Sequence, residues 1–281
     1  MITYTETELK ALDRKAFELR KTVLSMIHKA GSGHTGGSLS AVEILSALYF
    51  KALNVSSAKP DDPGRDRFIL SKGHAAPILY AILAECGYID KKGLGTLRKF
   101  GSILQGHPCR DKVPGVELST GSLGMGISAG IGMALAAKVQ KKDYKVVVLC
   151  GDGEMDEGQN WEAFMAANKW QPENLTVIID RNRVQLDGTE EEIMPTGDLS
   201  EKIRAFGLRT KEIDGHSFRE IFDALNWADE PGTGTSVIIA NTVKGKGVPF
   251  MEGKNIWHGK TIGDDDFNII REIYGGDGND L

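Results

Sequence analysis

Two short apolar runs in this chain each end in a side chain that can hold a cation. Val146-Val147-Val148-Leu149-Cys150 leads into Gly151-Asp152-Gly153, and Leu175-Thr176-Val177-Ile178-Ile179-Asp180 leads into Arg181-Asn182. One carboxylate and one neutral amide are hard oxygen donors of the kind Mg²⁺ takes, and that ion keeps several positions for water or ligand phosphate oxygens. An Asn in place of a second Asp leaves net positive charge on the metal to hold a diphosphate. The segment Asn182-Arg183-Val184 leaves the strand edge irregularly and can add a backbone carbonyl. Gly153 lets a phosphate approach the main chain with no Cβ in the way.

Five of the six histidines adjoin a glycine; His216 does so at a helix entry, and the other four do so in loop-like contexts: His34 in Gly31-Ser32-Gly33-His34-Thr35-Gly36-Gly37-Ser38, His74 in Ser71-Lys72-Gly73-His74, His107 in Gly106-His107-Pro108, and His258 in Trp257-His258-Gly259. Any one alone would read as a structural histidine. Recurrence of the same context points to a shared polar cleft. The glycines around His34 superficially suggest a phosphate-binding P-loop, but no Lys precedes the final Ser, so that reading fails. His28, at a helix end, and His216, after Asp214-Gly215 at a helix entry, read as structural.

The elements that must position these residues follow from periodicity. Trp161, Phe164, Met165 and Asn168 recur at three and four, which predicts a helix over 161–170 between the two apolar runs. Strand, helix, strand in a right-handed crossover makes the strands parallel and brings Asp152 and Asn182 to one carboxyl edge, where open α/β sheets bind ligands. A second Gly-Asp-Gly at 276–278 has no strand before it and reads as a frayed end. Leu9, Leu12, Ala16, Leu19, Val23 and Ile27 predict an opening amphipathic helix. Residues 31–38 read as a loop, with Ser38 and Ser40 as caps for a helix over 41–53. Strands are predicted at 67–71, 145–150 and 236–241, a small-residue helix at 124–137, and helices at 199–206 and 218–228. Residues 263–281 read as a polar C-terminal tail.

With 281 residues, the chain can bury roughly three quarters of its unfolded surface, and no linker divides it, so one domain over 1–281 is expected. A net charge of −5 and a pI near 5.8 argue against a nucleic-acid partner. No apolar run is long enough to span a bilayer, and the N-terminus lacks signal-peptide character, so no membrane role and a cytoplasmic location are expected. Cys86, Cys109 and Cys150 lack metal-ligand spacing. Cys150 reads as core filling.

Taken in order, the Gly-His of Gly33-His34-Thr35-Gly36, Ser-Lys-Gly-His, Gly-His-Pro, Gly121-Ser122-Leu123, Gly151-Asp152-Gly153, Glu157-Gly158, Asn182 and His258 resemble the N-terminal half of transketolase, from the first helix to about residue 262. The resemblance implies an α/β, three-layer thiamine-diphosphate-binding fold, with a mostly parallel sheet flanked by helices, and thiamine diphosphate and Mg²⁺ as cofactors. It implies metal ligands Asp152, Asn182 and the Val184 carbonyl. His74, Gly153, Glu154, Asn182 and His258 would lie near the diphosphate, and Gly121, Ser122 and Leu123 at the aminopyrimidine. His34, His107 and His258 would be catalytic, lining a sugar channel where neutral imidazoles relay protons near pH 7.

Two departures from the family pattern matter. Thr35 stands where the pattern has Pro. More seriously, the family's activating glutamate and the aromatic wall around the pyrimidine belong to a second domain that this sequence lacks; Glu157 resembles an interface residue of the family and not that activator. The expectation is therefore half an active site: a subunit that transfers two-carbon ketol units between sugars or sugar phosphates only with a separate pyrimidine-binding C-terminal subunit, as an α2β2 heterotetramer. The α subunit of a 2-oxo acid dehydrogenase, a deoxyxylulose phosphate synthase and a non-catalytic cofactor-binding partner are the alternatives.

Overall fold

The computed structural model describes residues 1–275. Its first helix, α1 (Glu6–Ala30), starts at a capping box in which Thr5 and Glu8 satisfy each other's backbone N–H groups. Two short helices follow, α2 (Thr35–Ser40) and α3 (Val42–Ala47), and α3 runs on into a π-helical turn. Then come β1 (Arg67–Leu70), α4 (Ala76–Glu85), α5 (Gly126–Gln140), β2 (Val146–Gly151), α6 (Gly158–Trp170) and β3 (Leu175–Arg181). The remainder is α7 (Glu190–Ile193), α8 (Leu199–Ala205), β4 (Arg209–Asp214), α9 (Phe218–Ala228), β5 (Ser236–Asn241) and α10 (Asp264–Tyr274).

The five strands form one sheet in the order β1-β2-β3-β5-β4, and every neighbouring pair is parallel. Strand side chains alternate between two cores. Phe68, Leu70, Val147, Leu149, Ile178 and Ile238 face one core, while Ile69, Val146, Val148, Cys150, Val177 and Ile179 face the other. A sheet covered on both faces needs apolar residues at every strand position. That is why the central strands β2 and β3 read as nearly unbroken Val, Leu and Ile runs.

Four expectations from the sequence need correction. The segment 31–38 is not all loop: α2 begins directly after His34 and takes in Gly36 and Gly37. A Cβ on Gly36 would lie 2.7 Å from Lys244 Cγ and 3.1 Å from the Trp257 carbonyl oxygen, so the glycines here permit close helix packing. Ser38 and Ser40 are accordingly not caps; the Ser38 hydroxyl donates to the His34 carbonyl and that of Ser40 to Asp180. β4 has no counterpart among the predicted strands, because Arg209, Lys211 and Glu212 break any apolar pattern. Charges of this kind are what an edge strand carries.

Nor do the described residues of the segment 263–281 form a polar tail. Residues 264–274 form α10, whose Phe267, Ile270 and Tyr274 are buried at i, i+3 and i+7. Three aspartates in its first turn, favourably placed at a helix N-terminus, disguise it. Phe267 also stacks on His28, with ring centroids 3.9 Å apart. The Gly-Asp-Gly copy at 276–278 lies outside the described residues.

Docking of α10 has a measurable consequence. We expect Ile270→Ala to cost about 2–5 kcal/mol in a urea titration, and Glu272→Ala, on the exposed face, less than about 0.5 kcal/mol. A silent Ile270→Ala would mean that the segment contributes nothing to the fold.

Candidate active site

β2 and β3 are neighbours in register, with Gly151 opposite Asp180 and the Asp152 N–H donating to the Asp180 carbonyl. Asp152 and Asn182 therefore leave the sheet side by side at its carboxyl edge. Four histidines gather at the same edge. His34 directly precedes α2, His74 lies in the turn after β1, His107 in a long loop, and His258 in a 3-10 turn after β5. The ring of His34 is 5.4 Å from His74, 6.2 Å from His107 and 5.4 Å from His258, and His74 is 5.1 Å from His258. His28 and His216 stand apart, as expected. His216 joins Glu43 to the backbone N–H of Val243.

Burial is the first cause that pushes the clustered imidazoles toward neutrality. His34 is lowered to about 4, with the charge of Arg98 next in importance, and His258 to about 3, with that of Lys244 next. Burial and the neighbouring Lys72 hold His74 well below its ordinary value, and burial and Arg98 lower His107. Values this low make His34 and His258 neutral hydrogen-bonding groups at pH 7, with proton exchange near neutrality disfavoured.

Asp152 is only 3% exposed and receives just two backbone N–H groups, those of Gly153 and Arg183. Burial, and then the Asp180 carboxylate, raise it to about 6. An acid this poorly compensated is suited to a cation. Arg183, whose N–H is one of the two donors to Asp152, has a positive φ of 62° that turns the chain after β3, and the Asn182 amide oxygen accepts from the Val184 N–H. The chain's own nearest cation is already there. Lys244 Nζ donates to the Val184 carbonyl and to His258 Nδ1, at 2.5 and 2.8 Å, and burial lowers it to about 8 against the pull of Asp152.

Among the described residues no three His, Cys, Asp or Glu side chains converge as a metal cluster, so any metal here rests on a mixed set of carboxylate, amide and carbonyl oxygens. Those are the donors that Mg²⁺ accepts, and they fit.

Glu154 does not turn its side chain to this point. Its carboxylate is buried, accepting from the Ser71 hydroxyl and from the N–H groups of Gly124 and Gly151. Only its main chain remains for a ligand, because the side chain fastens the 121–126 loop to the ends of β1 and β2. Gly121, Ser122 and Leu123 lie on the open part of that loop.

Three functional side chains escape a reading of the sequence. Lys72, 1% exposed, pairs with Asp180, 0% exposed, which also accepts from Ser40 and Thr242. Arg98 lies against His34, and Lys244 against His258. Lys72 and Lys244 each follow a strand at the carboxyl edge, which is a usable signal; Arg98 sits in an irregular loop and offers none.

A buried carboxylate, an amide and four neutral imidazoles at the carboxyl edge of a parallel sheet mark the class of α/β enzymes that seat a phosphate-bearing cofactor there. The chain belongs to the transketolase family, matching "Transketolase, thiamine diphosphate binding domain" over residues 13–280. It is 43% identical over 251 residues to an apulose-4-phosphate transketolase subunit of Phocaeicola vulgatus, covering 89% of each chain. It is 44% identical over 247 residues to the 6-deoxy-6-sulfo-D-fructose transketolase subunit SqwG of Clostridium sp. strain MSTE9, covering 88% of this chain and 90% of that one. Its structure is similar to that of transketolase from Campylobacter jejuni, with a TM-score of 0.89 and 33% identity, over 96% of this chain and 43% of that one.

The buried pair beneath the site can be tested. Burial alone would raise Asp180, but the charge of Lys72 and three hydrogen bonds outweigh it and lower the carboxyl. Because the folded value is depressed, the contribution is present above the ordinary carboxylate pKa and is lost as pH falls through the folded one. We expect Lys72→Ala to cost about 3–5 kcal/mol at pH 7, with the penalty narrowing as acid protonates Asp180. A penalty independent of pH would show that only packing was lost.

Proposed function

We propose that this chain is the N-terminal subunit of a split transketolase, which joins a separate pyrimidine-binding subunit to move two-carbon ketol units from a ketose to an aldose with thiamine diphosphate and Mg²⁺. The convergence of His34, His74, His107 and His258 beside Asp152 and Asn182 carries this reading. Asp152, Asn182 and the Val184 carbonyl would hold the metal. His74, Lys244 and the Gly153 main chain would face the diphosphate, and Gly121, Ser122 and Leu123 the aminopyrimidine. When bound, thiamine diphosphate supplies the nucleophilic carbon that accepts the ketol unit.

The residues of this chain bind and orient the sugar. His34, His107 and His258 offer neutral imidazole nitrogens to its hydroxyl and carbonyl oxygens, in a site that the neighbouring cations keep receptive to negative charge. The two relatives above are named for a sugar phosphate and a sulfosugar, so an anionic or sulfonated sugar is the substrate class we favour, with the pyrimidine-binding subunit completing its selection. The dehydrogenase-like, synthase-like and non-catalytic alternatives fare worse, since the matched relatives are transketolases and transketolase subunits.

An α2β2 assembly working in the cytoplasm is the expected form. Met125 and Met165, at 51% and 61% exposure, and the outward side of α5, with Gly132 exposed and Met133 and Leu135 half-buried, offer an apolar surface for the partner. Among the described residues no helix is long and apolar enough to cross a membrane.

Asp152→Ala tests the cofactor assignment. In the assembled enzyme we expect calorimetric titration with thiamine diphosphate and Mg²⁺ to show at least a 100-fold loss of affinity, about 2.7 kcal/mol or more, with the circular dichroism spectrum unchanged. Undiminished binding would remove the metal from this edge.

A further inference from the structure

Arg98 is built into its place at visible cost. Its backbone has a φ of 59°, in the left-handed region that non-glycine residues seldom adopt, and its N–H donates to the Leu104 carbonyl at 2.8 Å. Its guanidinium lies flat against Gly106, where a Cβ would come within 3.0 Å of Cζ and 3.2 Å of both Nε and Nη2. Nη1 donates to the Ser32 hydroxyl at 3.0 Å, and Nη2 lies 3.2 Å from His34 Nδ1. Nε is buried without any partner. A left-handed backbone and an orphaned N–H kept together to hold one group at one point suggest function over stability.

What that group does follows from its chemistry. A guanidinium has five N–H donors and no acceptor, so at the Nη2 contact His34 Nδ1 must be the acceptor. In a neutral ring the proton then sits on Nε2. His34 Nε2 has no hydrogen-bond partner among the described residues and is not one of the buried orphan atoms, so it is the nitrogen that a ligand meets. Lys244 approaches His258 Nδ1 in the same manner.

We propose that Arg98 is a positioning residue that fixes His34 in the Nε2–H tautomer, so that this imidazole presents the substrate with a hydrogen-bond donor. A donor suits the sugar oxygen that becomes an alkoxide as a carbon–carbon bond to its carbon is made, and that passes from alkoxide back to carbonyl as that bond is broken. The consequence for turnover rests on the transketolase reading, whereas the tautomer does not. The groups facing His34 are Arg98, His74, His107, Lys244 and His258. All are cationic or neutral, and no carboxylate among them competes for Nδ1.

Long-range ¹H–¹⁵N spectra of the full chain, labelled with ¹⁵N-imidazole histidine, read the tautomer directly. We expect His34 to show a pyrrole-like Nε2 and a pyridine-like Nδ1 throughout the neutral pH range. Arg98→Met should draw the two signals toward the average of both tautomers, and Arg98→Lys, which keeps a donor, should largely preserve the pattern. Gly106→Ala, which displaces the guanidinium without removing it, should act like Arg98→Met and serves if that variant does not fold. A proton on Nδ1 in the unaltered chain, or an unchanged pattern in both Arg98→Met and Gly106→Ala, overturns the proposal.

In the assembled enzyme, Arg98→Met should lower kcat roughly 10- to 100-fold, the worth of a charge-assisted hydrogen bond, with thiamine diphosphate affinity within a few-fold of the unaltered enzyme and part of the loss recovered in Arg98→Lys. Unchanged turnover, with the tautomer shifted, would overturn the catalytic half of the proposal. Absence of ketol transfer from the unaltered assembly, with the tautomer as stated, would count against the proposed function and not against the lock.

Discussion

The pair between Lys72 and Asp180 is the constraint on which the site depends. Asp180 is the penultimate residue of β3, two before Asn182, and Lys72 follows β1, two before His74. Its other two partners are Ser40, at the end of the helix that His34 opens, and Thr242, which follows β5 and leads to Lys244. One fully buried carboxylate thus gathers the four segments that carry His34, His74, Asn182 and Lys244. Such a pair adds little net stability over an apolar replacement of the same shape, because desolvation consumes much of the Coulombic gain. Its value here is registration, since a carboxylate with three directional donors fixes relative positions that apolar packing would leave looser.

A second network anchors the segment that carries Lys244. Arg20 donates to both oxygens of Glu43 and to the Lys246 carbonyl, Glu43 is also bonded to His216, and His216 accepts from the Val243 N–H. The Gly245 N–H donates to the Gly36 carbonyl, which ties the same loop to α2. Rigid supports on both sides allow a lysine at 2% exposure to lie beside Asp152. The electrostatics that result are unequal: one under-compensated acid faces two cations and four neutral imidazoles. Such a site has spare affinity for anions, as a diphosphate and an oxygen-rich sugar require.

Much of this could be read from the residues. The apolar runs before Asp152 and Asn182 implied adjacent parallel strands, and the glycine-flanked histidines implied a cleft, because each carries a local pattern with a physical reason. The remainder depends on tertiary context. β4 is stabilised by its pairing with β5, which its charged sequence hides. α10 hides three buried side chains behind an acidic first turn. α2 is helical because Gly36 packs against Lys244 and Trp257, which are distant in sequence. The inward turn of Glu154 follows from Ser71, Gly124 and Gly151 meeting around it. Arg98 is set in place by Ser32, Leu104 and Gly106, and nothing local to residue 98 announces it.

The central claim is that these supports build one half of a site and that a second polypeptide supplies the other. The most direct measurement is a coupled assay of ketol transfer with thiamine diphosphate and Mg²⁺, on the purified chain, on the isolated pyrimidine-binding subunit, and on their mixture, with light scattering on each sample. Neither chain by itself is expected to transfer the ketol unit, and the mixture is expected to do so as a complex containing two copies of each chain. Sustained transfer by the 281-residue chain alone would contradict the claim.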